Sequence, residues 1–190
     1  DGTSATWASR RGAEPREGRL IQLARESRQR GWWSEYQDIF PSDFVALEAD
    51  ASVIRSYESE LVPGLLQTTG YARAVNRAYH PTAPDDEIER RVSARTIWQG
   101  ILNRRQPPEL TYILSEAVIR RRMAIADGVG SAQLQALIDE AERPNVTIRV
   151  LPLDAGLHPG IQGAFAIIKL PEQQNPDVAY VEGLMGPGIH

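Results

Sequence analysis

The sequence has no cysteine and only three histidines in 190 residues. The lack of cysteine excludes disulfide bonds, thiolate zinc sites and a cysteine nucleophile. His80, His158 and His190 are too far apart in the sequence to match any metal-binding spacing. We therefore predict that this chain has no metal site.

Long hydrophobic runs are also absent. No stretch approaches the roughly 18 to 20 apolar residues that a membrane helix requires, and the polar N-terminus lacks the apolar segment of a signal peptide. The glycine patterns GxxxxGK[ST] and GxGxxG, which let backbone amides approach a phosphate, do not occur. These absences predict a cytoplasmic protein with no membrane contact and no bound cofactor.

Signs of catalysis are weak as well. The serine-nucleophile pattern GxSxG is missing, and the best catalytic candidates are Asp154 and His158 in the stretch LPLDAGLHPG. They could form a hydrogen-bonded acid–base pair across a glycine-rich loop, or they could only shape a turn or a binding loop. We predict that the protein is not an enzyme, and the alternative is a small-metabolite enzyme that uses these two residues.

Lysine is nearly absent: the basic residues are twenty arginines and the single lysine Lys169. This bias is typical of a genome of high GC content, and the alternative is selection for planar recognition of phosphate or carboxylate groups. The net charge is −4, yet residues 87–122 hold eight arginines and four acidic residues, a net charge of +4. These arginines lie on segments with amphipathic spacing, so we expect solvated helix faces here rather than a nucleic-acid surface.

The spacing of apolar residues predicts an α+β fold. A helix-rich N-terminal three quarters is expected to pack on a mixed sheet of four to five strands that is completed near the C-terminus. The predicted helices cover residues 19–30, 44–52, 71–79, 85–103, 116–126 and 131–142. The predicted strands cover residues 53–59, 110–115, 146–151, 164–170 and 178–181.

Three local predictions accompany this fold. The apolar strand 110–115 is expected to be buried on both faces, and Ser131 is expected to cap the last helix. Trp32 and Trp33 open a cluster of large aromatic residues that extends to Phe44, which indicates a packed corner of the core or an interaction anchor.

Four stretches of the sequence carry a resemblance to a known family. They are WWSEYQDIFPSDFVALEADASVIRSYESELVPGLLQTTGYARAV (32–75), LTYILSEAVIRRRM (110–123), VTIRVLPLDAGLHPGIQGAFAIIKL (146–170) and VAYVEG (178–183). In this order they resemble the effector domain of a large actinobacterial family of antitoxin-like transcriptional regulators, which carry an N-terminal helix-turn-helix of the XRE type. The most specific tract has the pattern E..LVPGLLQT..YAR.

The resemblance implies DNA-binding transcriptional control in the cytoplasm of an actinobacterium. DNA would be read through an N-terminal helix-turn-helix, so we expect no DNA-binding residue within this chain. Residues 1–30 would be the linker and connecting helix from that missing domain, and residues 31–190 an effector domain truncated at its C-terminal end. A homodimer, a small partner protein encoded nearby and a small-molecule effector are the expected partners.

The LVPGLLQT motif allows two interpretations. Pro63 and Gly64 favour a sharp turn whose leucines enter the core, which would make the motif structural. In the functional interpretation the motif lines a pocket closed by the loop 153–163, and an arginine pairs with an acidic ligand group. The candidate ligand-binding residues are Tyr57, Glu58, Gln67, Tyr71, Arg73, Glu116, Arg120, Asp154 and His158, with Arg73 or Arg120 as the pairing arginine. A further alternative is a scaffold that sequesters a small protein through an exposed apolar surface.

Overall fold

A computed structural model describes residues 35–36, 38–40, 44–121, 128–171, 177–181 and 188–189. Its α-helices are α1 (Phe44–Asp50), α2 (Thr69–Tyr79), α3 (Asp85–Gln99), α4 (Glu116–Arg120) and α5 (Val129–Ala141). Its strands are β1 (Val53–Glu58), β2 (Glu109–Ser115), β3 (Val146–Leu151), β4 (Phe165–Lys169), β5 (Val178–Val181) and β6 (Gly188–Ile189). The α+β class predicted from the sequence is confirmed.

One mixed sheet organises these elements, in the order β3-β2-β1-β4-β5-β6. Strands β1, β2 and β3 run parallel, and the helices that connect them supply the long crossovers that parallel pairing requires. Strands β4, β5 and β6 are each antiparallel to their neighbour. The central strand β1 therefore joins a parallel half of the sheet to an antiparallel half.

The helix starts follow from local sequence chemistry. The hydroxyl of Thr68 accepts a hydrogen bond from the Tyr71 amide at 3.2 Å and caps α2. Helix α3 begins after Pro84 with three acidic residues in its first turn, where the helix dipole favours negative charge. Helix α5 follows Gly128, whose φ of 93° suits glycine.

The hydrophobic core lies between the helices and one face of the sheet. Alternate residues of the strands, such as Ile54, Leu114 and Ile168, form a single buried cluster with residues of the helices, such as Leu47 and Leu137. Because side chains alternate along a strand, the other face of the sheet points away from this core. The helices thus cover one side of the sheet, and the cavity described below lies on that side.

The opposite face is partly open. Ile113 and Val181 lie on it with exposed fractions of 38% and 41%, beside the exposed Arg55 and Arg149. The segment 152–163 covers Tyr57 on this face, where the Tyr57 and His158 rings meet edge to face at 5.4 Å.

One prediction about the sheet is confirmed and another needs correction. The predicted mixed sheet of four to five strands is present as β1 to β5, and the two-residue strand β6 extends it beyond β5. The strand predicted at 110–115 is not buried on both faces, since its buried and more accessible residues alternate. Among the described helices, none packs on the open side of the sheet, so these helices cover only one face of β2.

Two helix predictions are also corrected. Ser131 does not cap α5, because that helix begins at Val129 and the Ser131 hydroxyl donates to the Gly128 carbonyl. The helix predicted at 116–126 ends at Arg120, and residues 122–127 lie outside the described residues.

Other expectations lie outside the described residues, namely the helix at 19–30 and the pair Trp32 and Trp33. Among the described helices, none combines the length and the apolar character that crossing a membrane would require.

Candidate functional site

A cavity of about 400 Å³ lies between the helices and the core face of the sheet. This volume is at the lower end of the range for pockets that hold small molecules. Its apolar wall combines aromatic and aliphatic side chains, including Phe40, Phe44, Val75, Trp98, Ala166 and Tyr180. Its polar wall consists of Ser56, Glu58, Gln67, Asn76, His80, Arg91 and Arg95.

Aromatic contacts fix much of the apolar wall. The Phe40 and Trp98 rings meet edge to face with centroids 5.6 Å apart, and Phe44 packs on Tyr180 at 4.2 Å. Such pairs prefer offset or edge-to-face geometry. The wall therefore has a defined shape.

Gly64 brings the turn of the LVPGLLQT motif directly against this wall. A Cβ atom built on Gly64 would lie 2.4 Å from the Trp98 ring and also collide with the Arg95 guanidinium. Any side chain at position 64 would have to displace an aromatic ring. Glycine is thus required by close approach at this turn.

Glutamine side chains hold the polypeptide of the motif in place. Gln133 donates to the Leu66 carbonyl and accepts from the Thr68 amide, both at 2.7 Å. Gln99 donates to the carbonyls of Gly64 and Gln67 at 2.9 and 2.7 Å. A loop with buried backbone groups needs such partners, so α3 and α5 position the cavity wall.

Gln67 joins the turn to the cavity. Its Nε2 donates to the Val62 carbonyl at 2.7 Å, while Oε1 is buried and makes no hydrogen bond within the described residues. The Val62 amide in turn donates to the Tyr71 hydroxyl at 3.0 Å. The motif is therefore structural, as the first interpretation predicted, and at the same time it forms a wall of the cavity.

Three charged side chains reach the cavity wall, and each is engaged. Glu58 accepts a hydrogen bond from the Ser56 hydroxyl at 2.5 Å. The Arg91 Nε and Nη2 atoms both donate to one oxygen of Glu87, at 3.1 and 2.8 Å. The Arg95 guanidinium stacks over the Trp98 ring at 4.9 Å.

A buried acid lies behind this wall. Glu48 on α1 is only 3% exposed, and burial raises its pKa well above the usual range, helped by the nearby Glu58 and opposed by Arg95 and Trp98. Its Oε2 atom makes no hydrogen bond within the described residues. Burial likewise raises the pKa of the neighbouring Tyr112. Glu48 is therefore held in its neutral form over a wider pH range than an exposed glutamate.

The structure brings only some of the predicted ligand-binding residues to the cavity. Glu58 and Gln67 line it. Tyr57 does not, because it follows Ser56 on β1 and points to the opposite face of the sheet, against His158 and Phe165.

Tyr71 and the predicted pairing arginines lie elsewhere. The Tyr71 hydroxyl supports the turn as described, and burial raises its pKa. Arg73 pairs with Glu89 on the exposed side of α2 and α3, with an Nη2 to Oε2 distance of 2.9 Å. Arg120 pairs with Glu116 one helical turn earlier. The two arginines expected to meet a ligand are therefore occupied at the surface.

Asp154 and His158, the predicted catalytic pair, belong to the 152–163 segment, and Glu116 at the start of α4 contacts this segment. Glu116 accepts from the Leu153 amide at 2.8 Å, and this bond, followed by the contact with Arg120, lowers its pKa. Asp154 is exposed and His158 half-buried, and no hydrogen bond joins them. The segment packs on the sheet face away from the cavity, so it is not the lid that was predicted.

Several residues that line the cavity were not among the candidates predicted from the sequence. Arg91, Arg95 and Trp98 recur at intervals of four and three residues on α3, which places them on one helix face. That spacing was a usable signal, although the arginines were interpreted as a solvated face. Within the described residues, no group of three or more histidine or acidic side chains could hold a metal ion.

Fold and site together define an α+β domain with a preformed, partly aromatic cavity. A family model described as a domain of unknown function (DUF5753) matches residues 41–190, and the chain belongs to this family. No curated protein and no solved structure matches the chain.

Proposed function

We propose that this chain is the sensory and protein-interaction domain of an antitoxin-like, DNA-binding transcriptional regulator. The observation that supports a sensory role is the cavity, whose wall is built by the same LVPGLLQT motif that carries the family resemblance. In this proposal a small-molecule effector binds there in the cytoplasm. A helix-turn-helix of the XRE type reads the DNA, and a homodimer matches the two-fold symmetry of its site.

The cavity wall also offers a route for a signal. Phe44 comes from α1, Val75 from α2, Trp98 from α3 and Ala166 from β4. A ligand that contacts all four elements stabilises the conformation in which they lie close together. Helix α1 is the first of the described helices, so this change would be passed toward the N-terminal side, where the DNA-binding domain is proposed.

A reporter gene under control of the complete regulator tests this role. Val75→Trp places a large ring in the cavity, and Ala78→Trp places the same ring on an exposed position of the same helix. We expect Val75→Trp to make expression insensitive to the conditions that induce the wild type, while Ala78→Trp responds normally. A normal response of Val75→Trp would contradict the sensory role.

One observation favours a second function, the sequestration of a small partner protein. The segment 152–163 displays Leu157 at 90% and Ile161 at 64% exposure beside the open sheet face, which is unusual for a surface without a partner. Under this hypothesis the product of a neighbouring gene copurifies with the wild type and is lost from a Leu157→Ser, Ile161→Ser variant. Retention by that variant would reject this surface as the contact.

A further inference from the structure

We propose that the cavity takes a small aromatic or alicyclic carboxylic acid, with Arg91 as the residue that binds the carboxylate. The inference rests on the proposed sensory role and names the ligand class for that site. Arg91 takes the place of Arg73 and Arg120, the arginines that the sequence suggested for binding an acidic ligand group. Three features carry it: the charge of the wall, the unused donors of Arg91 and the aromatic surface opposite.

The charged residues of the wall do not balance. Among the described residues that line the cavity, Arg91 and Arg95 carry positive charge and Glu58 is the only acid, while Glu87, the partner of Arg91, is 42% exposed and lies outside this lining. Glu48 lies behind the wall rather than on it. A ligand with one negative charge would neutralise this wall, whereas a cationic ligand would meet two arginines in a poorly solvated space.

Arg91 has hydrogen-bond donors that its contact with Glu87 does not use. Its side chain is only 16% exposed, and its contacts with Glu87 use Nε and Nη2 but leave Nη1 without a hydrogen bond within the described residues. A guanidinium can present two parallel N–H groups to a carboxylate. The Glu87 side chain is 42% exposed, so its hold on Arg91 is of the weak, solvent-screened kind. A ligand carboxylate can therefore compete for Arg91.

The rest of the wall selects the body of the ligand. Phe40, Phe44 and Tyr180 line the cavity with aromatic side chains, and burial of an apolar ring against them is favourable. A cavity of about 400 Å³ suits one or two fused rings better than an extended chain. Arg73 remains outside, on the far side of the α2 and α3 pair.

A matched pair of probes tests the ligand class on the 190-residue chain. Titration calorimetry compares 2-naphthoate with the uncharged 2-naphthamide, which has the same rings. We expect the wild type to bind 2-naphthoate at least about 10-fold more tightly, as is typical for a charge-assisted hydrogen bond. Equal affinities, or no binding of either probe, would overturn the proposal.

Variants of three side chains assign the preference to Arg91. Arg91→Gln should lose the preference for 2-naphthoate while keeping its affinity for 2-naphthamide, which also shows that the cavity is intact. Arg73→Gln, the matched surface control, should bind both probes like the wild type. Glu87→Gln removes the competing carboxylate and should bind 2-naphthoate about 2- to 5-fold more tightly. A preference that survives in Arg91→Gln, or that disappears in Arg73→Gln, would reject Arg91 as the carboxylate site.

The two proposals fail separately. If Val75→Trp abolishes the reporter response but the probes show no carboxylate preference, the sensory role stands and the ligand class is wrong. If the preference is found and depends on Arg91 but the reporter ignores Val75→Trp, the site binds acids without controlling transcription.

Discussion

Gly64 makes the closest approach between the turn of the motif and the cavity wall. A Gly64→Ala substitution pushes a methyl group into the Trp98 ring, and we expect it to destabilise the fold by about 1–3 kcal/mol. Urea unfolding measures this loss. Gly130→Ala is the control, because nothing lies within 4 Å of its added Cβ atom and alanine favours the helix by up to about 1 kcal/mol. Equal stability of Gly64→Ala and the wild type would contradict the packing described.

Glu48 should make the stability of the protein depend on pH. Burial raises its folded pKa above the ordinary value of 4.5. Neutral Glu48 thus makes its full contribution to the stability of the fold below pH 4.5, and this contribution is lost as the pH rises through the folded pKa. Glu48→Gln cannot ionise, so the stability of the wild type relative to this variant should fall by up to about 1.4 kcal/mol per pH unit within that window.

Urea unfolding of both proteins between pH 4 and pH 8 measures this difference. Glu60→Gln serves as the control for a glutamate at the surface, where its carboxylate lies beside Arg121. A constant difference between wild type and Glu48→Gln would contradict burial of an ionisable acid.

At the scale of elements, the Gln133 side chain hydrogen-bonds α5 to the motif. Gln133 is 2% exposed and holds both Leu66 and Thr68. Gln133→Leu leaves two buried backbone groups without partners, and we expect a loss of about 2–4 kcal/mol. Hydrogen exchange should show that the Thr68 amide loses protection.

Gln135→Leu provides the matched control on the same helix. Gln135 is exposed and bonds only Asp139, so its substitution should change neither stability nor Thr68 exchange appreciably. If Gln133→Leu behaved like this control, α5 would not be what holds the motif.

The sequence predicted the elements well where apolar spacing decides them. The strands at β1, β3 and β5 and the helices α2 and α3 lie close to their predicted ranges. The predictions failed where tertiary context decides. Ser131 has the right chemistry for a cap, but Gly128 allows α5 to start earlier. The apolar composition of β2 suggested two covered faces, although the described helices cover only one.

The site was predicted only in part, for similar reasons. Tyr57 and Glu58 are neighbours on one strand and cannot share a face, a constraint that the sequence already contained. Arg73 and Arg91 look alike in sequence, and only the packing of α2 on α3 decides which reaches the cavity. The role of Gln133 depends on a contact between positions 65 or more residues apart, and no local pattern reveals it.

At the scale of the whole molecule, the two faces of the sheet have different environments. The covered face holds the core and the cavity, while the other face carries the segment 152–163 and its exposed leucine. Under the proposed function, the covered side receives the effector and the open side is available to a protein. Sensing and partner binding can therefore be separated by mutation, with Val75→Trp affecting the first and Leu157→Ser the second.

The most direct test of the central claim asks what the cavity holds in the cell. Wild type, Val75→Trp and Ala78→Trp are purified from the native host under gentle conditions, unfolded, and the released small molecules are compared by mass spectrometry. We expect a ring-containing carboxylic acid from the wild type and from Ala78→Trp, and none from Val75→Trp. The same small-molecule profile from all three proteins would contradict the claim that this cavity is a binding site.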